Sequence, residues 1–90
     1  MNKDIKALMA TIDNAVNIAL VVGLSENTAI ENVVNSFRTI ARILTDDYLW
    51  NKLTSEQYNT LMDKVRKHKN AAIADIVDIY AICIFDNDND

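Results

Sequence analysis

The segment Ala71–Phe85, AAIADIVDIYAICIF, is the most apolar stretch of the chain and the one that decides its fold. Thirteen of its 15 residues are apolar, and its two charged residues, Asp75 and Asp78, share one narrow face of a helix. A helix that is apolar on nearly every side is either buried or spans a membrane. Since about 20 uninterrupted apolar residues are needed to cross a bilayer, we expect a central helix that the other helices surround, with a partner chain completing its burial.

The composition predicts long helices joined by short turns. Half of the 90 residues are hydrophobic, and there is one glycine and no proline. Because turns ordinarily use both of these residues, polar caps must end most of the helices. A chain of this length forms one domain. We therefore expect residues 1–90 to fold as a single all-α domain, a compact bundle of four to five helices, with a frayed acidic tail over residues 85–90.

Start and stop signals place the first two helices. The first is expected over residues 4–22, ended by Gly23, which adopts a left-handed conformation without penalty. The second opens at residues 25–28, where serine and threonine can act as caps, and it stops near Thr45. Its apolar residues follow the helical period more regularly than those of any other segment.

The second half of the chain begins with a strong helix-start signal. Thr54 and Gln57 form a capping box, with an apolar residue directly before the cap. This third helix ends in the basic run Lys64–Lys69. Asn70 then either breaks the chain and caps the helix of residues 71–85, or lies inside one continuous helix.

Residues 46–52 are expected to form one or two helical turns that carry Trp50. A tryptophan buries a large area wherever it packs. The favoured interpretation is that Trp50 covers one end of the core. The alternative is an aromatic anchor for a partner, because tryptophan and tyrosine are enriched at binding hot spots.

Charge and cysteine content restrict the class of protein. The net charge of −4 argues against nonspecific binding to nucleic acid. The single cysteine, Cys83, has no partner for an internal disulfide, which is typical of a reducing compartment. The N-terminal residues lack a secretory pattern. A cytoplasmic protein that binds no membrane is expected.

The sequence gives little support for catalysis or for a cofactor. His68 is the only histidine and has no carboxylate nearby in sequence to orient it. Cys83 lies in the most apolar segment, where a thiol is more often packed than reactive. Asp75 and Asp78 are too few to hold a metal. We therefore expect no enzyme, no catalytic residue, no cofactor and no metal.

The basic run Lys64–Lys69 has two interpretations. Cations near a helix C-terminus stabilise the helix dipole, and this is the favoured interpretation. The alternative is contact with nucleic-acid phosphates or with an acidic protein surface.

The apolar content exceeds what a small domain easily buries. Two explanations remain open. Either the core is tight and needs no partner, or a helix-in-groove contact or a homodimer covers the remaining apolar surface.

Several short motifs resemble one known family. The residues that carry the resemblance are Met1-Asn2-Lys3 followed by Ile5, the series Ile12, Ala15, Val16, Ile18, the pair Glu31-Asn32 followed by Phe37, and the motif Leu53-Thr54-x-Glu56-x-x-x-Thr60-Leu61-x-Asp63. Together with the length and the absence of proline, they are similar to the AsiA family of anti-sigma factors of T-even phages. The similarity covers about the first two thirds of the chain and fades after Asp63.

The resemblance implies a small phage-type regulator that binds region four of the primary sigma factor of the host RNA polymerase and inhibits or redirects transcription. It implies an all-helical fold that acts in the host cytoplasm, and a homodimer when sigma is absent. The contact face is the apolar face of the first helix, supported by the second. By position, the residues that it implies for partner binding are Ile12, Ala15, Val16, Ile18, Ala19, Phe37 and Ile40.

Two other functions remain open. The first is an inhibitor of another host system, such as an anti-defence or immunity-type binding protein. The second is a nucleic-acid-binding module that uses Lys64–Lys69.

Overall fold

A computed structural model describes residues 2–88 of the chain, and side-chain environments for residues 5–82. It contains three helices, α1 (Asn2–Val22), α2 (Glu26–Leu49) and α3 (Ser55–Asp88). The helices pack side by side in an up-down-up arrangement, in which α2 runs antiparallel to α1 and α3. The sequence predicts a frayed tail over residues 85–90. In the structure α3 continues as far as Asp88, and residues 89–90 lie outside the described part.

The all-α prediction is confirmed, but residues 2–88 form three helices, not four to five. The predicted stop near Thr45 does not occur, and of the two alternatives for Asn70 the structure has the continuous helix. The turns expected after Thr45 continue α2 as far as Leu49, and α3 passes through Asn70 without interruption. The last helix of the chain is therefore 34 residues long.

The core is a stripe of side chains that recur every four or seven positions along each helix. Such spacing places successive side chains on one face of each helix. Its fully buried members are Ile5, Ile12 and Ala19 of α1, Ala29, Val33, Ile40 and Leu44 of α2, Leu53 of the second turn, and Val65, Ala72 and Ile76 of α3. In α3 the buried residues before and after Asn70 lie on the same face of the helix. A continuous helix keeps all three of its buried residues on the core, which explains why the chain does not break at that position.

The predicted end of α1 is confirmed. Gly23 adopts a left-handed φ of 78°, and the Leu24 N–H donates to the Ala19 carbonyl oxygen at 3.0 Å. Ser25 then caps α2, because its side-chain oxygen accepts from the Thr28 N–H at 3.2 Å. The first turn is thus closed by local hydrogen bonds that the sequence indicates.

α2 does not end near Thr45, where the sequence predicts. Asn51 takes the left-handed position with a φ of 60°. The Lys52 N–H donates to the Asp47 carbonyl at 2.8 Å, and the Asn51 N–H donates to the Tyr48 carbonyl at 3.1 Å. These two bonds form a Schellman motif, in which asparagine replaces the usual glycine. The helix therefore ends at this motif and not at Thr45.

The capping box of α3 is confirmed. The Thr54 N–H donates to Gln57 Oε1 at 2.9 Å, and the Gln57 N–H donates to Thr54 Oγ1 at 3.1 Å. Leu53, directly before the cap, is buried in the core. The box therefore fixes the point at which α3 joins the bundle.

Replacing the cap should weaken the fold measurably. Thr54→Ala removes the acceptor for the Gln57 N–H, so we expect a loss of about 1 kcal/mol of stability. In a domain of this size that corresponds to a fall in Tm of about 4–8 °C, measured by circular dichroism. Thr60→Ala, at an exposed position inside α3, is the control. Equal Tm values for the two variants would contradict the role of the cap.

Candidate protein-binding surface

Three of the seven residues predicted to bind a partner lie in the core. Ile12 and Ile40 are 0% exposed and Ala19 is 1% exposed, since they belong to the stripe that joins α1 and α2 to α3. While the helices remain packed, these side chains are not available to another protein. The prediction assigned them to the surface because an apolar helical face looks the same in sequence whether it meets its own chain or a partner.

The other four predicted residues lie at the edge of the core or outside it. Ala15, Val16 and Phe37 are half-buried and pack against the core. Ile18 is 56% exposed. Ile18 is thus the predicted contact residue that the described structure leaves most open to solvent.

Exposed apolar side chains continue along α1 from Ile18 to its end. Val21 is 86% exposed and Val22 is 66% exposed. They follow Ile18 by three and four positions, so the three side chains are neighbours on one side of the helix. We call Ile18, Val21 and Val22 the α1 surface. Its signal in the sequence is the valine pair directly before Gly23, which belongs to the excess of apolar residues.

A shallow groove between α1 and α2 adjoins the α1 surface. Its volume is about 390 Å³. Ile18 lines it together with Thr11, Asn14, Ala15, Asn32, Asn35 and Ser36. All seven lining residues are uncharged, which is unusual on a chain with 24% charged residues. A partner can therefore pack against this groove without removing water from a charged side chain of its lining.

A second exposed apolar group lies at the opposite end of the bundle. Leu49 is 69% exposed and Trp50 is 77% exposed. The prediction that Trp50 covers the core is wrong, because Leu53 fills the buried position at this end. Tyr48 instead stacks on Tyr58, with ring centroids 4.8 Å apart. The alternative interpretation of Trp50, as an anchor for a partner, remains a prediction.

A deeper groove lies between α1 and α3, with a volume of about 450 Å³. Val16, Leu20 and Ile79 supply apolar lining, and Asp13, Asp75 and Asp78 supply carboxylates. We call it the acidic groove.

The basic run of α3 is largely engaged within the chain. His68 Nε2 lies 2.9 Å from Asp13 Oδ1, and Lys67 Nζ lies 3.1 Å from Asp63 Oδ2. Lys69 Nζ lies 4.6 Å from the centre of the Phe37 ring, a cation–π contact. The favoured interpretation, that the run stabilises a helix end, is wrong because it lies in the middle of α3.

Two further properties bear on possible functions. Residues Ile5–Val22 of α1 are long and apolar enough to cross a membrane, but the core helix of a globular protein and a signal sequence pass the same test. Among the residues that the structure describes, no group of three or more His, Cys, Asp or Glu side chains is placed to hold a metal ion.

Comparisons with known proteins identify no relative. No family model, no curated protein and no solved structure matches this chain.

Proposed function

We propose that the protein is a small regulator without enzymatic activity that binds another protein through the α1 surface. The observation that carries the proposal is the exposure of Ile18, Val21 and Val22 on one side of a helix. Burying a fully exposed valine or isoleucine side chain contributes about 1.5–3 kcal/mol. Three neighbouring side chains can therefore anchor a helix-in-groove contact.

The favoured partner is region four of the primary sigma factor of a bacterial host, which would make the chain a phage-type anti-sigma factor. The motifs shared with the AsiA family support this choice, and Ile18 is both a position implied by that resemblance and an exposed one. The net charge of −4 supports it as well, because complementary charge speeds the encounter with a basic DNA-binding protein. Binding would then inhibit or redirect transcription in the host cytoplasm.

A homodimer through the same surface is a second proposal. The uncharged groove beside Ile18 favours it, since two copies that each carry a charge of −4 could meet there without opposing side-chain charges. The homodimer and the sigma complex would then compete for the α1 surface. An inhibitor of another host system would use this surface in the same way, with a different partner.

Ile18→Asp should weaken partner binding without unfolding the protein. Placing a carboxylate in an apolar contact costs free energy on binding, so we expect affinity to fall about tenfold or more. Because Ile18 is exposed, helix content should not change. Purified sigma region four is titrated against the variant, and tagged protein is used to recover partners from a bacterial lysate.

The matched control is Ile43→Asp, which makes the same substitution at an exposed isoleucine of α2 outside both grooves. If Ile18→Asp and Ile43→Asp bind sigma equally well, the α1 surface is not the contact. If the wild-type protein does not bind sigma but recovers another bacterial protein, the alternative of a different host target replaces the anti-sigma proposal.

A further inference from the structure

We propose that the acidic groove between α1 and α3 docks a basic amphipathic helix of the partner protein. The inference rests on the proposed function and deepens it by giving the partner a second contact, separate from the α1 surface. On α1, Leu20 and Asp13 of the groove lie on the side away from Ile18, as their helical positions require. The two contacts can therefore be altered independently.

The shape of the groove fits a helix. Its lining runs from Asp13 to Leu20 on α1, about 10 Å or two helical turns, and from His68 to Ile79 on α3, about 16 Å or three turns. These two helices are parallel and leave apolar surface between them, with Val16 and Ile79 half-buried and Leu20 39% exposed. A helix laid along them would cover that surface by the same packing that joins the three helices of the bundle.

The charges of the groove select the partner. Asp13, Asp75 and Asp78 place three carboxylates around the apolar lining, and the imidazole of His68, also in the lining, lies 2.9 Å from Asp13 Oδ1. Among the described side chains, the ion pairs are those of Asp13 and Asp63, so neither Asp75 nor Asp78 has one. The carboxylates of Asp75 and Asp78 therefore favour lysine or arginine in the occupant.

The interaction between Asp75 and Asp78 does not stabilise α3. Like charges one turn apart on a helix repel each other, and these two lie in the segment whose other 13 residues are apolar. Their repulsion is relieved when cations of a partner lie against them. An anionic membrane or a nucleic acid would add negative charge to the same place, and so would the acidic faces of a second copy, whose net charge is −4. The occupant that remains is a helix with an apolar stripe flanked by basic residues.

Two designed peptides test the inference on the full chain. Both are about 18 residues long, enough for measurable helix formation. They share one stripe of leucine and alanine, which is flanked by lysine in one peptide and by glutamate in the other. Fluorescence anisotropy measures their binding to the wild type, to Asp75→Asn/Asp78→Asn, and to the control Glu31→Gln/Asp46→Asn, which removes two exposed carboxylates of α2 outside the groove.

We expect the lysine peptide to bind the wild type and the control equally and the groove variant about tenfold more weakly. Added salt should reduce this difference. Thermal melting should show no loss of stability in the groove variant. No binding of the lysine peptide, equal binding to the groove variant, or equal binding of the glutamate peptide would overturn the inference. So would sedimentation showing that the peptide dissociates a dimer, because the occupant would then be a second copy.

Ile18→Asp separates this inference from the proposed function. If the Ile18→Asp variant no longer binds sigma but still binds the lysine peptide, both proposals hold, each on its own surface. If the Ile18→Asp variant still binds sigma, and the lysine peptide binds as expected, the α1 surface is not the contact. The inference about the acidic groove then still holds. If the variant loses sigma while the peptide fails to bind, the groove inference alone is overturned.

Discussion

A proline at position 70 is expected to lower the free energy of unfolding by about 3 kcal/mol or more. Asn70 lies inside α3, with 15 residues of the helix before it and 18 after it. Proline there would remove the hydrogen bond to the carbonyl of Arg66 and its ring would collide with that carbonyl. The resulting kink would displace Ala72 and Ile76 from the core relative to Val65. Urea unfolding followed by circular dichroism measures the loss.

Asn70→Ala is an informative second variant, because it should stabilise the protein if α3 is continuous at this position and destabilise it if α3 is not. Inside a continuous helix, alanine should stabilise the protein by about 0.5 kcal/mol. If Asn70 were instead the cap of a separate last helix, alanine would destabilise it by about 1 kcal/mol. A destabilised Asn70→Ala, together with a well-tolerated Asn70→Pro, would show that α3 is two helices.

The parts of the fold that depend on local chemistry could be predicted from the sequence. Gly23, Ser25 and the box of Thr54 with Gln57 each satisfy backbone groups within five positions, so the side chains needed are adjacent in sequence. The all-helical class follows from the same local signals, together with the regular apolar spacing.

Asn70 and Asn51 show where local signals are insufficient. Both are asparagine, which suits a helix cap, a turn or a tolerated helix interior. At position 51 the chain ends α2 in a left-handed conformation. At position 70 the core on both sides keeps Val65, Ala72 and Ile76 in register, and the helix continues. Tertiary packing decides between these outcomes, and it is not encoded in the neighbouring residues.

The candidate surfaces could be predicted only in part. The excess of apolar residues indicates that some remain exposed, and Ile18 was among those named. The contacts of Asp13 with His68 and of Tyr80 with the Leu24 carbonyl join residues more than 50 positions apart. No spacing rule in one sequence predicts such pairs, so the acidic groove between α1 and α3 emerges only when the helices are packed.

Ile12→Ala is expected to lower the free energy of unfolding by about 2–5 kcal/mol, and Ile18→Ala to change it by less than about 0.5 kcal/mol. The two isoleucines lie on the same helix, but Ile12 is 0% exposed and Ile18 is 56% exposed. Removing the buried side chain loses its transfer free energy and leaves a cavity among neighbours of α2 and α3. Removing the exposed one leaves no cavity. Urea unfolding of both variants measures the difference.

This pair of variants separates two roles that the sequence could not distinguish. Both isoleucines were predicted to contact a partner. If Ile12 belongs to the core, its alanine variant loses stability, and partner binding recovers wherever the fold is intact, for example at low temperature. If Ile12 instead contacts the partner directly, the variant keeps its stability and loses affinity. An Ile12→Ala protein as stable as Ile18→Ala, with weaker binding to sigma region four, would show that α1 does not pack on α2 and α3 as described. The α1 surface would then include the whole face that the resemblance implies.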